Sequence, residues 1–398
     1  MARVLLCWEM GNGLAYIEGL KAGGQVIADA GHEVVYAVRD LAHAERVLGT
    51  ERYFQAPTTV IPPHARVSNP MTFADVLMNL GFGQGSGVAG RLHAWRNLFR
   101  QLRPDIIRCS NSPGALLAAR GTSIRTVAIG TGFLVPPSVS PLPMLRPWAK
   151  EYSMARIASR EQEVLSAMNQ GLDAIGAPRL DSVSALYAEV DVRQLYTYPE
   201  LDDYGPRSDV DYAGNYQPGR GQAPVWPALP GKKLFAYLEV TQRTPLVLKV
   251  LAETGEPTLV YMAHVPEGLK TLYADSNVKI VDQPLDLKSV AAQCDADITH
   301  GGLIVVSTLL AAGKPQLSLP LFFPERITAD KVVGLRAGLR CSLKLEELRD
   351  AIAQLLEDMS LAQASRAYAA KVAHMDMAWL TRRTLAPIQA LAEAGSRT

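Results

Sequence analysis

The chain has 398 residues, a length that fits two domains of ordinary size. Its 48% hydrophobic and 20% charged residues are those of a globular protein and leave no room for long disorder. A formal net charge of +1 argues against a nucleic-acid partner, and no apolar run approaches the ~20 residues of a membrane span.

The opening residues lack a basic leader and a small-residue cleavage site, so residues 3–7 read as a first strand of a cytoplasmic protein. Cys7, Cys109, Cys294 and Cys341 are scattered with no Cys-x-x-Cys pair, which predicts reduced thiols and neither a zinc site nor a disulfide framework. The turn Gly11-Asn12-Gly13 leads into a predicted helix over 17–30, which Gly31 stops before a strand over 32–38. This β-turn-α-β unit is the usual opening of a parallel, doubly wound sheet. Gly19, Gly23 and Gly24 weaken that helix by up to ~1 kcal/mol each, unless they let it approach the sheet closely. Strands over 105–108 and 126–129 flank a helix over 115–120. A long helix over 154–175 carries Arg156, Arg160, Glu161 and Glu163 on what reads as a solvated face.

Residues 206–232 are rich in Pro, Gly and Asp and read as a linker. Alternation then resumes with strands over 233–239, 258–262, 278–282, 296–299 and 316–320, and residues 345–394 are helical with a break at 375–377. The fold class is therefore α/β, with Rossmann-like domains over 1–205 and 233–375. The final residues, 376–398, form a helix expected to return to the first domain. Two such halves are expected to face each other across a cleft, with loops at the carboxyl ends of their strands meeting ligands.

The most informative segment runs from Asp297 to Pro315 as strand, His300-Gly301-Gly302 turn, apolar helix, glycine stop and proline. Free amides and the positive end of the dipole at such a helix start suit a phosphate, and the glycines let it come close. His300 can add a side-chain hydrogen bond. The alternative is a plain strand-to-helix turn.

Thr299-His300-Gly301-Gly302, the Ala311 to Gln316 stretch, Leu319-Pro320 and the helix ending between Lys331 and Leu339 together resemble the family-1 glycosyltransferases, especially bacterial enzymes acting on natural products. Gly31-His32-Glu33-Val34 and Arg103-Pro104-Asp105 extend the resemblance to the first half. It implies the GT-B architecture of two Rossmann-like domains, with a nucleotide-diphosphate sugar held by the second and a small hydroxylated acceptor by the first. It also implies inverting transfer without metal or other cofactor.

The departures fall on positions that carry chemistry. Ile304, Val305 and Val306 stand where the family has a glycine and hydroxyl residues, and Thr308 stands where it has a ribose-binding glutamate. Ser307 and Thr308 are the candidate substitutes, and Glu325 is the candidate contact to the sugar, with a solvated helix-start acid as the alternative. Tyr16 takes the place of the catalytic histidine. Ser110 or Asn111 takes that of the carboxylate orienting it. A neutral tyrosine, with a pKa near 10, is a poor base at pH 7. It can donate a hydrogen bond or simply pack. Gly11, Asn12, Gly13, Asn111, Thr131 and Phe133 are the acceptor-side candidates. His32, His43, His64, His93, His264 and His374 show no metal-ligand spacing. The expected function is sugar transfer. The alternatives are a binding protein that has lost it, or a scaffold recruited for another reaction.

Overall fold

The computed structural model describes residues 1–11, 14–150, 153–215 and 221–395. It divides into two compact units, Met1–Gly214 with Met377–Thr398, and Asn215–Asp376.

The strands of the first unit are β1 (Arg3–Trp8), β2 (Glu33–Val38), β3 (Tyr53–Gln55), β4 (Ile106–Ser110), β5 (Arg125–Gly130), β6 (Val192–Leu195) and β7 (Asp211–Tyr212). They pair in parallel in the order β3-β2-β1-β4-β5-β6-β7. Along β1, Leu5 and Cys7 pack with Phe73 and Trp95, while Val4, Leu6 and Trp8 pack with Ile17, Ile388 and Leu391. A strand apolar on both faces belongs at the centre of a sheet covered by helices on both sides.

Several elements depart from the sequence expectations. Residues 39–104 hold β3 and the helices Leu41–Leu48, Phe73–Asn79 and Gly85–Leu102. Glycines at 85, 87 and 90 argue locally against the last of these. Burial of Val88, Leu92, Trp95 and Phe99 along one face of it overrides that propensity. It packs on the helix Met154–Ala174, whose Gly171 would place a Cβ only 2.5 Å from Val88 Cγ1. Glu161 of that helix is buried rather than solvated, accepting from Leu142 N at 2.6 Å and Ser140 Oγ at 2.8 Å. In the first helix, Leu14–Asp29, close approach falls on Gly24, where a Cβ would lie 2.2 Å from the Tyr36 hydroxyl, while Gly19 faces open space.

The stretch read as linker begins with β7, which extends the first sheet. The last helix, Met377–Gly395, packs in this unit: Ile388 is fully buried, Arg383 pairs with Asp211 at 3.1 Å, and Thr384 Oγ1 lies 2.9 Å from the Tyr196 hydroxyl.

The second unit holds β8 (Leu234–Tyr237), β9 (Thr258–Tyr261), β10 (Val278–Val281), β11 (Ala296–Thr299), β12 (Gln316–Ser318) and β13 (Gly338–Arg340), in the order β10-β9-β8-β11-β12-β13. Leu234 and Ala236 of β8 face one core and Phe235 the other. The helix Phe323–Gly334 ends before the stretch expected to close it, and residues 338–340 form a strand instead. Gly338 allows that pairing, since a Cβ there would sit 2.4 Å from Gln316 O.

In both units the chain runs outward in one direction from its first strand and then returns to that strand's other side. The order therefore reverses between β1 and β4, and again between β8 and β11. Ligands of open parallel sheets bind beyond the carboxyl ends of the strands at such reversal points.

Candidate functional site

In the second unit the reversal point joins Leu238-Glu239, after β8, to His300-Gly301-Gly302, after β11. The buried His300 ring spans it. Its Nε2 accepts from Glu239 N at 2.8 Å, and its Nδ1 lies 2.9 Å from Leu319 O. Only the neutral tautomer carrying the proton on Nδ1 satisfies both contacts. Both ring nitrogens are thus occupied by backbone, and the side-chain hydrogen bond expected from His300 to a phosphate is not on offer.

Gly301 has φ +98°, and a Cβ there would lie 2.7 Å from Glu325 O, so both the backbone conformation and the space demand glycine. Gly302 caps the helix Leu303–Ala311 in an extended conformation. Its carbonyl takes the first helical bond, from Val306 N at 3.0 Å. The amides of Leu303, Ile304 and Val305 have no acceptor among the described residues. Gly302 and Ile304 are exposed, so this helix start is open to solvent.

The hydroxyls meant to supplement it point elsewhere. Ser307 is fully buried and its Oγ donates to Leu303 O at 2.5 Å; Thr308 Oγ1 donates to Ile304 O at 2.7 Å. Asn215 Nδ2 adds bonds to Ile304 O and Thr308 Oγ1, each at 3.3 Å. Inside an apolar helix a Ser or Thr hydroxyl satisfies itself on the preceding turn. Both residues support the helix from within, which corrects the expectation that they face a ligand.

Glu325 caps its own helix: Oε2 accepts from Leu321 N at 2.7 Å and Phe322 N at 3.0 Å. It abuts Gly301. Burial pushes its carboxyl above the usual range, against the pull of those amides, while Glu239 pushes it up further.

In the first unit the reversal point joins Glu9-Met10-Gly11 to Asn111-Ser112. Glu9 N and Met10 N donate to Asn111 O at 3.2 and 3.1 Å. The Glu9 side chain is buried, and its carboxylate accepts from Gly114 N at 3.0 Å and Ala115 N at 2.9 Å. It thereby occupies the start of the helix Pro113–Ala119, the place left open in the second unit. A Cβ on Gly114 would lie 2.5 Å from Glu9 Oε1, so the glycine admits the carboxylate. Burial raises the Glu9 carboxyl despite Arg91 and the two amides. Sequence reasoning passed over Glu9, although an acid directly after an apolar strand was its signal.

Gly11, Tyr16, Ser110 and Asn111 also gather at this edge. The Tyr16 ring stacks on Trp8 with centroids 5.5 Å apart and planes 16° off parallel. A Cβ on Gly11, whose φ is +91°, would lie 3.0 Å from that ring. Burial pushes the Tyr16 phenol above its ordinary value near 10, so it stays protonated at neutral pH. The register pairs Ser110 with Trp8, on the same face as Tyr16. Asn111 is buried with φ +52°, and both its side-chain polar atoms lack a partner. Thr131 starts the turn Gly132–Leu134 after β5; Phe133 N donates to Asp203 Oδ2 at 2.6 Å and its ring meets Phe73 edge-on. Asn12 and Gly13 lie outside the described residues.

No protein-family profile matches the chain. A zeaxanthin glucosyltransferase from Pseudescherichia vulneris is 39% identical over 146 residues, which span 33% of this chain and 34% of that protein, about a third of the relative's length. The glycosyltransferase VinC, solved in complex with DTDP, matches with a TM-score of 0.69 at 15% identity over 100% of both chains. A glycosyltransferase of kitacinnamycin matches at 0.69 and 18% identity over 98% of both. The spinosyn rhamnosyltransferase SpnG matches at 0.64 and 17% identity, covering 99% of this chain and 100% of that one. At such identities the likeness establishes the fold: two parallel α/β units as in GT-B glycosyltransferases. The proteins it resembles are of the kind that the sequence motifs indicated.

Proposed function

We propose that this chain, which has the fold of GT-B glycosyltransferases, moves a sugar from a nucleotide-diphosphate donor to a small hydroxylated acceptor, with inversion and without a metal. The observation that carries this reading is the open helix start at Leu303, Ile304 and Val305 behind Gly301. In an inverting transfer the acceptor oxygen attacks the anomeric carbon while the bond to the diphosphate breaks, leaving negative charge on the diphosphate. Backbone amides at a helix start stabilise that charge without reorganising. The second unit would hold the donor through Gly301, Gly302 and these amides, with Glu325 beside them. The first would hold the acceptor at the edge formed by Gly11, Tyr16, Ser110 and Asn111, with Thr131 and Phe133 near the end of β5.

A second reading, a protein that binds such a ligand without transferring the sugar, is favoured by one specific feature. The phenol at the place of the family's base is stacked, raised and protonated. Calorimetry with thymidine and uridine diphosphates tests the shared part of both readings, and absence of binding to either nucleotide would sink both. Where binding is found, incubation with the matching nucleotide-glucose and a phenolic acceptor decides between them, since only the transferase yields the glucoside.

A further inference from the structure

Asn215 is the first residue of the second unit, three positions after the end of β7. It is half-buried, and its side chain lies on the helix Leu303–Ala311. Nδ2 is 3.3 Å from Ile304 O and 3.3 Å from Thr308 Oγ1. Those two residues are one turn apart and share a face of the helix. Ile304 is exposed and Thr308 buried, so the face is open at the helix start and closes where Asn215 meets it.

These contacts fix the direction of the amide. A carbonyl oxygen only accepts, and the Thr308 hydroxyl donates its proton to Ile304 O at 2.7 Å. Both neighbours of Asn215 therefore present lone pairs, so its NH2 end must face the helix, with one N–H for each. Both donors are then used. Oδ1 points away from the helix and accepts from none of the described residues. It stands within about one turn, roughly 5.4 Å, of the open amides at the helix start.

Charge decides what can meet that oxygen. A phosphate oxygen carries no proton and is repelled by it, whereas a hydroxyl is attracted. A nucleotide sugar lying with its diphosphate on these amides has the transferred sugar at one end and the pentose at the other. Glu325, the contact assigned to the transferred sugar, abuts Gly301, before the helix begins. The pentose end then runs along the helix toward Ile304, Thr308 and Asn215.

We infer that Asn215 accepts a hydrogen bond from the 2′- or 3′-hydroxyl of the nucleotide's pentose and so makes affinity depend on that hydroxyl. The assignment rests on the donor-site reading of the open helix start.

The test is a cycle between protein and ligand on the full-length chain. Calorimetry compares uridine diphosphate with 2′,3′-dideoxyuridine diphosphate, which keeps the base and both phosphates, on the parent protein and on Asn215→Ala. The parent is expected to bind the dideoxy nucleotide about five-fold or more weakly, and the variant to bind the two within about two-fold of each other. A residue that only ties the chain to the helix would weaken both nucleotides alike in the variant and leave their ratio unchanged. Full discrimination kept by Asn215→Ala would therefore overturn the inference. So would a parent that binds the two nucleotides within two-fold, a result that needs no variant. Binding without discrimination removes Asn215 alone from the site, while absence of binding to either nucleotide removes the donor-site reading together with it, so the two failures are distinguishable.

Discussion

The ring of Tyr16 lies flat against Trp8, with 5.5 Å between centroids and 16° between planes. This contact makes Tyr16 a packing residue whose hydroxyl is its least constrained part. Tyr16→Phe is expected to leave stability within about 0.5 kcal/mol and any sugar transfer within about three-fold, because a working base contributes on the order of 10²–10⁴. Tyr16→Ala removes the stack and is expected to cost about 1–3 kcal/mol in urea unfolding. A loss of a hundred-fold in transfer by the Phe variant would show that the phenol takes part in the chemistry.

His300 is expected to matter more for folding than for ligand binding. His300→Ala leaves Glu239 N and Leu319 O without their partner, which should destabilise by about 2–4 kcal/mol. Measured at a temperature where the variant remains folded, nucleotide affinity should change by less than about three-fold, a small fraction of what one charged hydrogen bond contributes. Nitrogen-15 NMR should find the ring neutral with its proton on Nδ1. A ten-fold or greater loss of affinity would instead put the imidazole on the ligand.

Asp297 on β11 is fully buried, and neither carboxylate oxygen has a partner. Burial raises its carboxyl well above the ordinary 3.8, so the folded state retains a proton that the unfolded state releases. The resulting contribution favours folding at low pH and is lost as pH rises from about 4 toward the folded-state value. Its register partner Gln316 has an Oε1 without a partner, which a protonated Asp297 can meet as donor. Asp297→Asn keeps a donor and removes the charge. It should raise stability at pH 7 by about 1–3 kcal/mol and flatten the pH dependence of urea unfolding between pH 4 and 7. An unchanged slope in the variant would disprove this.

Glu239 follows β8, and its carboxylate adds to the burial that raises the carboxyl of Glu325 beside Gly301. Negative charge there opposes a diphosphate at the adjoining helix start. Glu239→Gln is expected to tighten thymidine diphosphate binding by about two- to five-fold at low salt, with the gain fading near 0.5 M salt as screening takes over. Calorimetry at two ionic strengths measures it. Weaker binding by the Gln variant would place the nucleotide elsewhere.

Gly301→Ala tests the turn itself. The Cβ would meet Glu325 O at 2.7 Å in a backbone conformation that disfavours alanine. A loss of nucleotide affinity of at least about ten-fold is expected, with a stability cost above ~1 kcal/mol. Both are read from one set of melting curves with and without nucleotide.

The amino-acid order by itself determined the alternation of strands and helices, because apolar runs such as Val4 to Trp8 and Leu234 to Ala236 have a sequence-local signature. It likewise placed the turn at Gly301, since glycine is what a left-handed residue followed by a helix start requires. Residues 39–104 were poorly legible. Their helix Gly85–Leu102 is held by burial against Met154–Ala174, and three glycines mask it locally.

Only the tertiary structure decided what the polar side chains do. His300, Ser307 and Thr308 have the chemistry to hold a phosphate, yet each donates to or accepts from backbone of its own unit. Glu9 and Arg39 drew no attention in the sequence, and they come together because β1 and β2 end side by side. A hydrogen bond depends on the direction of a side chain and the nearness of partners far along the chain. Neither is encoded by residue type at a given spacing, whereas the burial period of a strand is.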